Sequence, residues 1–387
     1  MSHPIYAPGM SPVAWTAGAR FAPGGTDVAH IPGAKALSVV IPSYNSAEWL
    51  PSTLEALAAA VRVADVEVEV IVVDDGSVDD SRAVVDRIAQ QFPGELLIVA
   101  QENSGRFLAR WAGIERATAE LVFLLDSRVI VESDALAYVL EAAKVDRVPQ
   151  GWNAHVHTDR TSPLVGRFWE VPTYVFWGRY LRDPRPYDLT PATFDTAPKG
   201  TGAFLASRDV LRKAFLAAWP EGDARLISDD TKILRWIAEN GGIRIDPGFA
   251  ATYRPRTTVV DFIRHSFDRG TLFVDSYAGT SLLRSIVLLF GAVAPLLGVA
   301  ALVWLIAAGA GAAALALLVA LLLLLLAPLV GAAINRCPGR GQLSYVCYLP
   351  VFLVPFWSGL LRGIVIHRRA FFDRQRSAGV SAGKAHS

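Results

Sequence analysis

The sequence predicts an α/β fold: a Rossmann-like, mostly parallel sheet flanked by helices, followed by a C-terminal helical membrane region. Three observations carry this. Val70-Ile71-Val72-Val73 is a continuous apolar run that stops at Asp74-Asp75-Gly76-Ser77, and Leu121-Val122-Phe123-Leu124-Leu125 stops in the same way at Asp126-Ser127-Arg128. Continuous apolar runs of this length read as strands buried on both faces of a parallel sheet. Helical-period segments lie between such runs, as crossover connections require. Finally, Ser285 to Asn335 contains no Asp, Glu, Lys or Arg, which is room for two helices of roughly 20 residues each, the length that crosses a bilayer.

The elements follow in order. Residues 37–41 are apolar and β-branched, and Pro42 is expected to break that strand. Leu50, Leu54, Leu57, Ala58 and Val61 recur at helical spacing, with Pro51 tolerable in a first turn. Residues 67–73 form the second strand; Val84, Val85, Ile88 and Phe92 mark a helix over 81–92, stopped by Pro93-Gly94. A third strand over 96–99, a helix through Ile114 and the strand 121–125 complete the first unit. Further on, Ile233, Leu234 and Ile237 give a short amphipathic helix that starts after Asp229-Asp230 and ends at Gly241-Gly242. No Gly-x-Gly-x-x-Gly follows the first strand and there is no Walker loop, which argues against dinucleotide enzymes and P-loop ATPases.

Hydrophobic residues make up 52% of the chain and charged residues 19%, an apolar excess for a soluble globular protein. It is concentrated in two predicted spans near 282–308 and 312–334, separated at Gly309-Ala310-Gly311. A third apolar stretch, 343–366, carries Pro350, Pro355, Tyr345, Tyr348 and Trp357 and suits a re-entrant or interfacial segment better than a crossing. The loop with Arg336 and Arg340 and the tail with Arg362, Arg368, Arg369, Arg374 and Arg376 are basic. Positive loops stay cytoplasmic. Two crossings therefore place the N-terminal domain, that loop and the tail on the cytoplasmic side of the plasma (inner) membrane. Residues 1–36, rich in Pro, Gly and Ala, read as a flexible tail rather than a signal peptide. The expected organisation is this tail, a catalytic-type domain over 37–275, a membrane region over 276–370 and a basic tail over 371–387. Cys337 and Cys347 form neither a disulfide framework nor a metal-ligand spacing. A formal net charge of +1 with no basic helix gives no reason to expect nucleic acid.

Open parallel sheets bind ligands at the carboxyl ends of their strands, where Asp74, Asp75 and Asp126 fall. Such a pocket suits a ligand rich in hydrogen-bond donors or bound through a cation, and a nucleoside diphosphate is both. Pro42-Ser43-Tyr44-Asn45, Val73-Asp74-Asp75-Gly76-Ser77, Asn103-Ser104-Gly105, Ala109-Arg110 with Gly113-Ile114, and Leu125-Asp126-Ser127 occur in the order and spacing of a family 2 glycosyltransferase. The chain resembles that family strongly over 37–135 and more loosely over 195–270.

The resemblance implies a GT-A fold, a nucleotide-sugar donor, most simply a UDP-sugar, and inversion at the anomeric carbon. It assigns donor binding to Pro42, Tyr44, Asn45, Asp74, Asp75, Arg106, Asp126, Ser127, Arg128, Gly200, Thr201 and Gly202. The bland alternative for Asp74 and Asp75 is a tight turn capping the next helix. At Asp126 the family pattern is Asp-x-Asp, two carboxylates that hold Mg²⁺ or Mn²⁺. Here Arg128 replaces the second acid. One carboxylate remains for a metal, and the guanidinium could neutralise a diphosphate directly or pair with Glu132.

The family's general base aligns with Asp229-Asp230, Asp230 being the expected base; the alternative is Ser228 as a helix cap with acids in the first turn. Arg264 and Arg269 lie in a basic, aromatic juxtamembrane segment that would meet the donor or a lipid phosphate. Residues 151–195, rich in Trp, Tyr, Phe and Pro, are the expected acceptor side. His155 and His157 are spaced to reach one metal from a strand, though such pairs are more often structural. The implied activity is transfer of a sugar to a membrane-associated acceptor, polyprenyl-linked or glycolipid, for cell-envelope glycan synthesis. The rivals are transfer onto a bare polyprenyl phosphate, and a silent nucleotide-binding module.

Overall fold

The computed structural model describes residues 35–371 except 146–148, 221 and 229. The expected N-terminal tail, all but its last two residues, and the basic tail beyond residue 371 lie outside the described residues. The alternation read from the sequence is present: β1 (Leu37–Ser43), α1 (Leu50–Ala64), β2 (Val68–Asp75), α2 (Ser81–Ala89), β3 (Glu95–Gln101), α3 (Arg106–Arg116) and β4 (Leu121–Leu125). These strands pair in parallel in the order β3-β2-β1-β4. The period of two sorts their side chains. Val39, Ile41, Val70 and Val72 meet α1 and α2, whereas Val40, Ile71 and Val73 meet α3. Pro42 does not end β1, which runs to Ser43 with Pro42 opposite Val73. Pairing with β4 stops two residues earlier, at Val40, so that side of β1 is open for a residue lacking an N–H.

The second half of the sheet follows other rules. After β5 (Val129–Val131) and α4 (Ala135–Val145) come β6 (Gly151–Thr158), α5 (Glu170–Arg182), β7 (Tyr187–Leu189), β8 (Ala203–Ser207), α6 (Arg208–Ala217), α7 (Thr231–Asn240) and β9 (Ile243–Tyr253). β8 lies antiparallel to β4 and to β6, and β9 is parallel to β6 but antiparallel to β5 and β7. Among the described residues the sheet has nine strands and is mixed: all parallel in its first half, with both directions in its second. The β4–β8 register, Leu125 opposite Ala203, brings the 199–202 loop against the end of β4.

Beyond β9 an amphipathic helix, α8 (Val259–Tyr277), leads to α9 (Leu282–Ala307), α10 (Gly311–Ile334) and α11 (Gly339–Ile366). The last three are long and apolar enough to cross a membrane. The expected spans match α9 and α10 within a residue. The third stretch forms α11, one continuous helix with Pro350 and Pro355 inside it. It runs alongside α8 in the same direction, Phe262 meeting Tyr348 near one end and Asp275 meeting His367 at the other. The approach is close enough that a methyl at Gly359 would sit 1.9 Å from the Phe267 carbonyl oxygen, so only glycine fits there.

α11 meets α10 around Leu325, Leu329 and Ala332 and meets α9 around Leu288 and Ala292. It thus lies across the domain-side ends of the α9–α10 hairpin. Its first turns also seal the base of the domain. There the ion pair Arg167–Glu170 (2.9 Å, side chains 5% and 6% exposed) is covered by Gly341, and Ser344 donates to the Leu164 carbonyl.

Candidate active site

The strand ends of the parallel half form the first part of the site. The loops after β1 and β2 are laced together: Asn45 N–H donates to Ser77 Oγ, Val78 N–H to Asn45 Oδ1, and Ala47 N–H to Asp79 Oδ2. Both strand-end acids are buried and engaged. Asp74 accepts from Ser77 N–H at 3.1 Å and pairs with Arg82 on α2. Asp75 Oδ1 accepts from Gln101 Nε2 (2.7 Å) and Ser104 N–H (2.8 Å), and its Oδ2 from Gly105 N–H (2.9 Å). Asp75 therefore shapes the turn into α3, which Arg106 opens. Tyr44 beside them is 50% exposed, a free aromatic face of the kind on which a base stacks. Pro42 stays in the strand behind it.

Asp126 is held from two sides. Its N–H donates to the Gly202 carbonyl (2.8 Å), and its Oδ1 accepts from Arg110 (2.5 Å), a guanidinium 1% exposed. A methyl at Gly202 would lie 3.0 Å from Asp126 Oδ2, so the small residue lets the loop close on the acid. Gly200 N–H donates to Asn153 Oδ1 (2.9 Å), and Thr201 is buried between them. Ser127 turns its hydroxyl to Ser46 (3.0 Å), and its carbonyl accepts from Thr53 and Arg254.

Arg128 does not pair with Glu132, which accepts from Thr252 instead. Its guanidinium lies 4.1 Å over the Trp49 ring, with Arg254 against the same ring at 5.1 Å. Burial, and next the neighbouring Arg256, lower its affinity for its proton. Arg110 belongs to the Ala109-Arg110 motif, to which the sequence assigned no role, and it is the charged residue on an α3 face otherwise made of Phe107, Trp111 and Ile114.

These residues do not fit a chelated divalent cation. Asp126 is the single acid of the expected pair, one of its oxygens is already given to Arg110, and Arg128 stands where the second acid would be. Among the described residues no group of three His, Cys, Asp or Glu is placed to hold a metal. His155 and His157 turn to different partners, Tyr180 and Thr252.

The second part of the site comes from the other half of the sheet. Asp230 precedes α7 without capping it; its Oδ1 accepts from Ser228 Oγ (2.9 Å) and Thr231 Oγ1 (3.0 Å). Ser228 is no cap either: its hydroxyl is turned to Asp230, and its N–H donates to Asp275 of α8. Asp229 lies outside the described residues. Lys199, which opens the 199–202 loop, is 8% exposed and stacks on Phe194 (4.2 Å). Burial pushes its ammonium down to about 8, against the pull of Asp195 and Asp230 and with the push of Arg235 and Arg284.

A cavity of about 190 Å³ lies under α8, lined by Trp169, Thr158, Thr173, Arg256, His265 and Arg269. His265 accepts from Arg269 Nε (3.3 Å); burial and then Arg256, Arg269, Arg106 and Arg128 hold it neutral. Arg269 thus joins a cationic group that includes Arg128. Arg264 does not: its side chain is 74% exposed and pairs loosely with Asp261. Of the aromatics expected to form an acceptor surface, Trp152, Phe168 and Tyr180 are buried, Trp169, Tyr174, Trp177 and Tyr187 are half-buried, and Phe176 is 70% exposed.

Residues 38–212 match the model of glycosyl transferase family 2. The chain carries a family 2 glycosyl transferase domain. An undecaprenyl-phosphate 4-deoxy-4-formamido-L-arabinose transferase from Sodalis glossinidius is 35% identical to it over 112 residues, 28% of this chain and 34% of that protein. The corresponding protein of Serratia proteamaculans is 40% identical over 95 residues, covering 24% and 29%. An uncharacterised glycosyltransferase from Nostoc sp. is 31% identical over 112 residues, covering 29% and 34%. The chain thus spans about a third of the length of the curated relatives it matches. A mannosyltransferase from Pyrobaculum calidifontis, solved with GDP-Man and Mn²⁺, superposes with a TM-score of 0.52 over 88% of this chain and 91% of its own, at 19% identity. That likeness shows a shared fold of GT-A type.

Proposed function

We propose that the protein is an inverting glycosyltransferase that moves a sugar from a nucleotide-sugar donor, a UDP-sugar by preference, to a polyprenyl-linked or glycolipid acceptor in cell-envelope glycan synthesis. The observation that carries this is the 199–202 loop. It closes on Asp126 at one end and, through Lys199, faces Asp230 at the other, so a donor end and an acceptor end meet across four residues. Tyr44 and Asp75 receive the base, and Asp126 orients the ribose and sugar end. Arg128, with Arg256 and Arg269 near it, neutralises the diphosphate as it leaves; preorganised cations aimed at developing charge are the largest single source of rate in such sites. Asp230 removes the proton from an acceptor hydroxyl on the opposite face. The names of the undecaprenyl-phosphate relatives support a lipid-linked acceptor.

The helix arrangement supports a cytoplasmic domain at the inner membrane. α8 bears Asp261, Arg264, His265, Asp268, Arg269 and Asp275 along its length and belongs at the interface. α11 lies parallel against it, so we place α11 in the interface too, with α9 and α10 as the two crossings. The test is transfer from a panel of labelled nucleotide sugars into native lipid extract, with and without chelator. Transfer that survives chelation is expected; transfer lost on chelation would take the diphosphate from Arg128, and no transfer in either condition would sink the reading.

A further inference from the structure

Asp195 gathers three cations that the donor chemistry does not use. Arg284, in the first turn of α9, holds Asp195 Oδ2 at 2.5 Å; Arg235 of α7 stands 3.5 Å and Lys199 3.9 Å from Oδ1. The last two distances exceed a hydrogen bond. Lys199 has only a 3.5 Å contact with the Ala197 carbonyl, and a buried terminal nitrogen of Arg235 has no hydrogen-bond partner. Three cations here face two acids, Asp195 and Asp230, with Tyr277 of α8 beside them. Asp195 Oδ1, which faces Lys199 and Arg235, also lacks a hydrogen-bond partner, so this one carboxylate closes on neither cation. Buried polar groups left in this state, with one positive charge in excess, are costly, and a second anion would complete the cluster.

The position says which anion. Arg235 is one turn along α7 from Asp230, Lys199 opens the loop that ends on Asp126, and Arg284 begins a membrane helix, at the depth of lipid headgroup phosphates. We infer that Lys199 and Arg235, with Arg284 held beside them by Asp195, form a subsite for the phosphate of a polyprenyl-linked acceptor. The inference rests on the proposed lipid-acceptor transferase and narrows it: the acceptor carries phosphate beside its reacting group, and neutral glycolipids are poor acceptors. Lys199 and Arg235 bind; Arg284 positions.

The test uses the full-length protein in phosphatidylcholine nanodiscs, where no anionic lipid competes. Three acceptors are compared: a polyprenyl phosphate, a polyprenyl diphosphate-linked sugar and a diacylglycerol-linked sugar without phosphate. The expected result is transfer to one of the first two, which also tells the phosphate's source, and about tenfold or less efficient transfer to the third, the worth of one charge-assisted hydrogen bond. Lys199→Met and Arg235→Met should each raise the acceptor KM about tenfold while the donor KM changes less than about twofold, and Lys199→Arg should restore the acceptor KM. Thermal stabilisation by UDP confirms that each variant is folded. Equal use of the neutral glycolipid, or a rise in donor KM in place of acceptor KM, overturns the subsite and leaves the transferase reading standing. Donor turnover by water with no transfer to any lipid overturns both.

Discussion

The two halves of the sheet solve the same problem in different ways. In the parallel half, β3-β2-β1-β4, every strand end delivers a polar group to one edge, and the acids there are braced by neighbours: Asp74 by Arg82, Asp75 by Gln101 and the turn into α3, Asp126 by Arg110. In the mixed half, Asp230 and Lys199 sit on loops, and their supports come from the membrane side: Asp275 of α8 fixes Ser228, and Arg284 of α9 fixes Asp195. On the proposed reading, the donor end is braced within the sheet, whereas the acceptor end is tied to the apolar helices that follow it.

The strongest test of that division is Asp230→Asn. Loss of a general base should lower transfer about 10²- to 10⁴-fold while donor binding, read by UDP titration, stays intact. Should the acceptor prove to be a bare phosphate, already ionised, the loss shrinks toward the lower figure, and the comparison between acceptors is sharpened. Asp126→Ala, in the other half, acts on folding as well as on the donor. It removes one partner of the buried Arg110, and breaking a buried pair costs about 3 kcal/mol at the low end of its range; Arg110 keeps a further contact. A thermal midpoint unchanged from wild type would show that the donor end is not braced by this pair.

Arg128→Asp restores the Asp-x-Asp pattern and should lower metal-free transfer about tenfold or more while making the remainder sensitive to chelator. Unchanged activity and metal response would remove Arg128 from the site. Gly359→Ala should separate α8 from α11, costing about 1–3 kcal/mol, and should raise acceptor KM more than donor KM if the anchor positions the acceptor end.

The smallest effect is a pH dependence with opposite signs for activity and stability. Lys199 titrates at about 8 in the folded chain. Below that value it is charged and binds its anion, and as pH rises through it acceptor affinity falls. Between that value and the ordinary lysine range the unfolded chain binds the extra proton, so stability rises with pH. In Lys199→Arg both changes should vanish from this window. Acceptor KM and chemical unfolding, each measured from pH 7 to 10, check the two signs.

The same division explains what could be read from the sequence. Strands buried on both faces are continuous apolar runs, so β1 to β4 and the acids at their ends are visible in the chain. Family order supplied Asp230. The braces were not visible: Gln101 lies 26 residues from Asp75 and Arg110 lies 16 from Asp126, and a long-range ion pair leaves no local pattern. The mixed half was poorly legible. Its aromatic stretch suggested a surface, whereas Phe168 is entirely buried against Phe262, Tyr345 and Phe352, residues that arrive 94 or more positions later. Arg264 and Arg269 are five apart on one helix, and only the packing of α8 decides that Arg269 borders the cavity beside His265 while Arg264 pairs with Asp261.

The seal that α11 places over Arg167 and Glu170 sets a sequence of events for the growing chain. Glu170, its carboxyl pushed toward the neutral form chiefly by burial, leaves the ribosome more than 170 residues before Gly341 and Ser344 do. Until α11 has emerged, Ser344 cannot reach Leu164 and the floor of the domain stays open. The domain is therefore closed only by the last of its long helices.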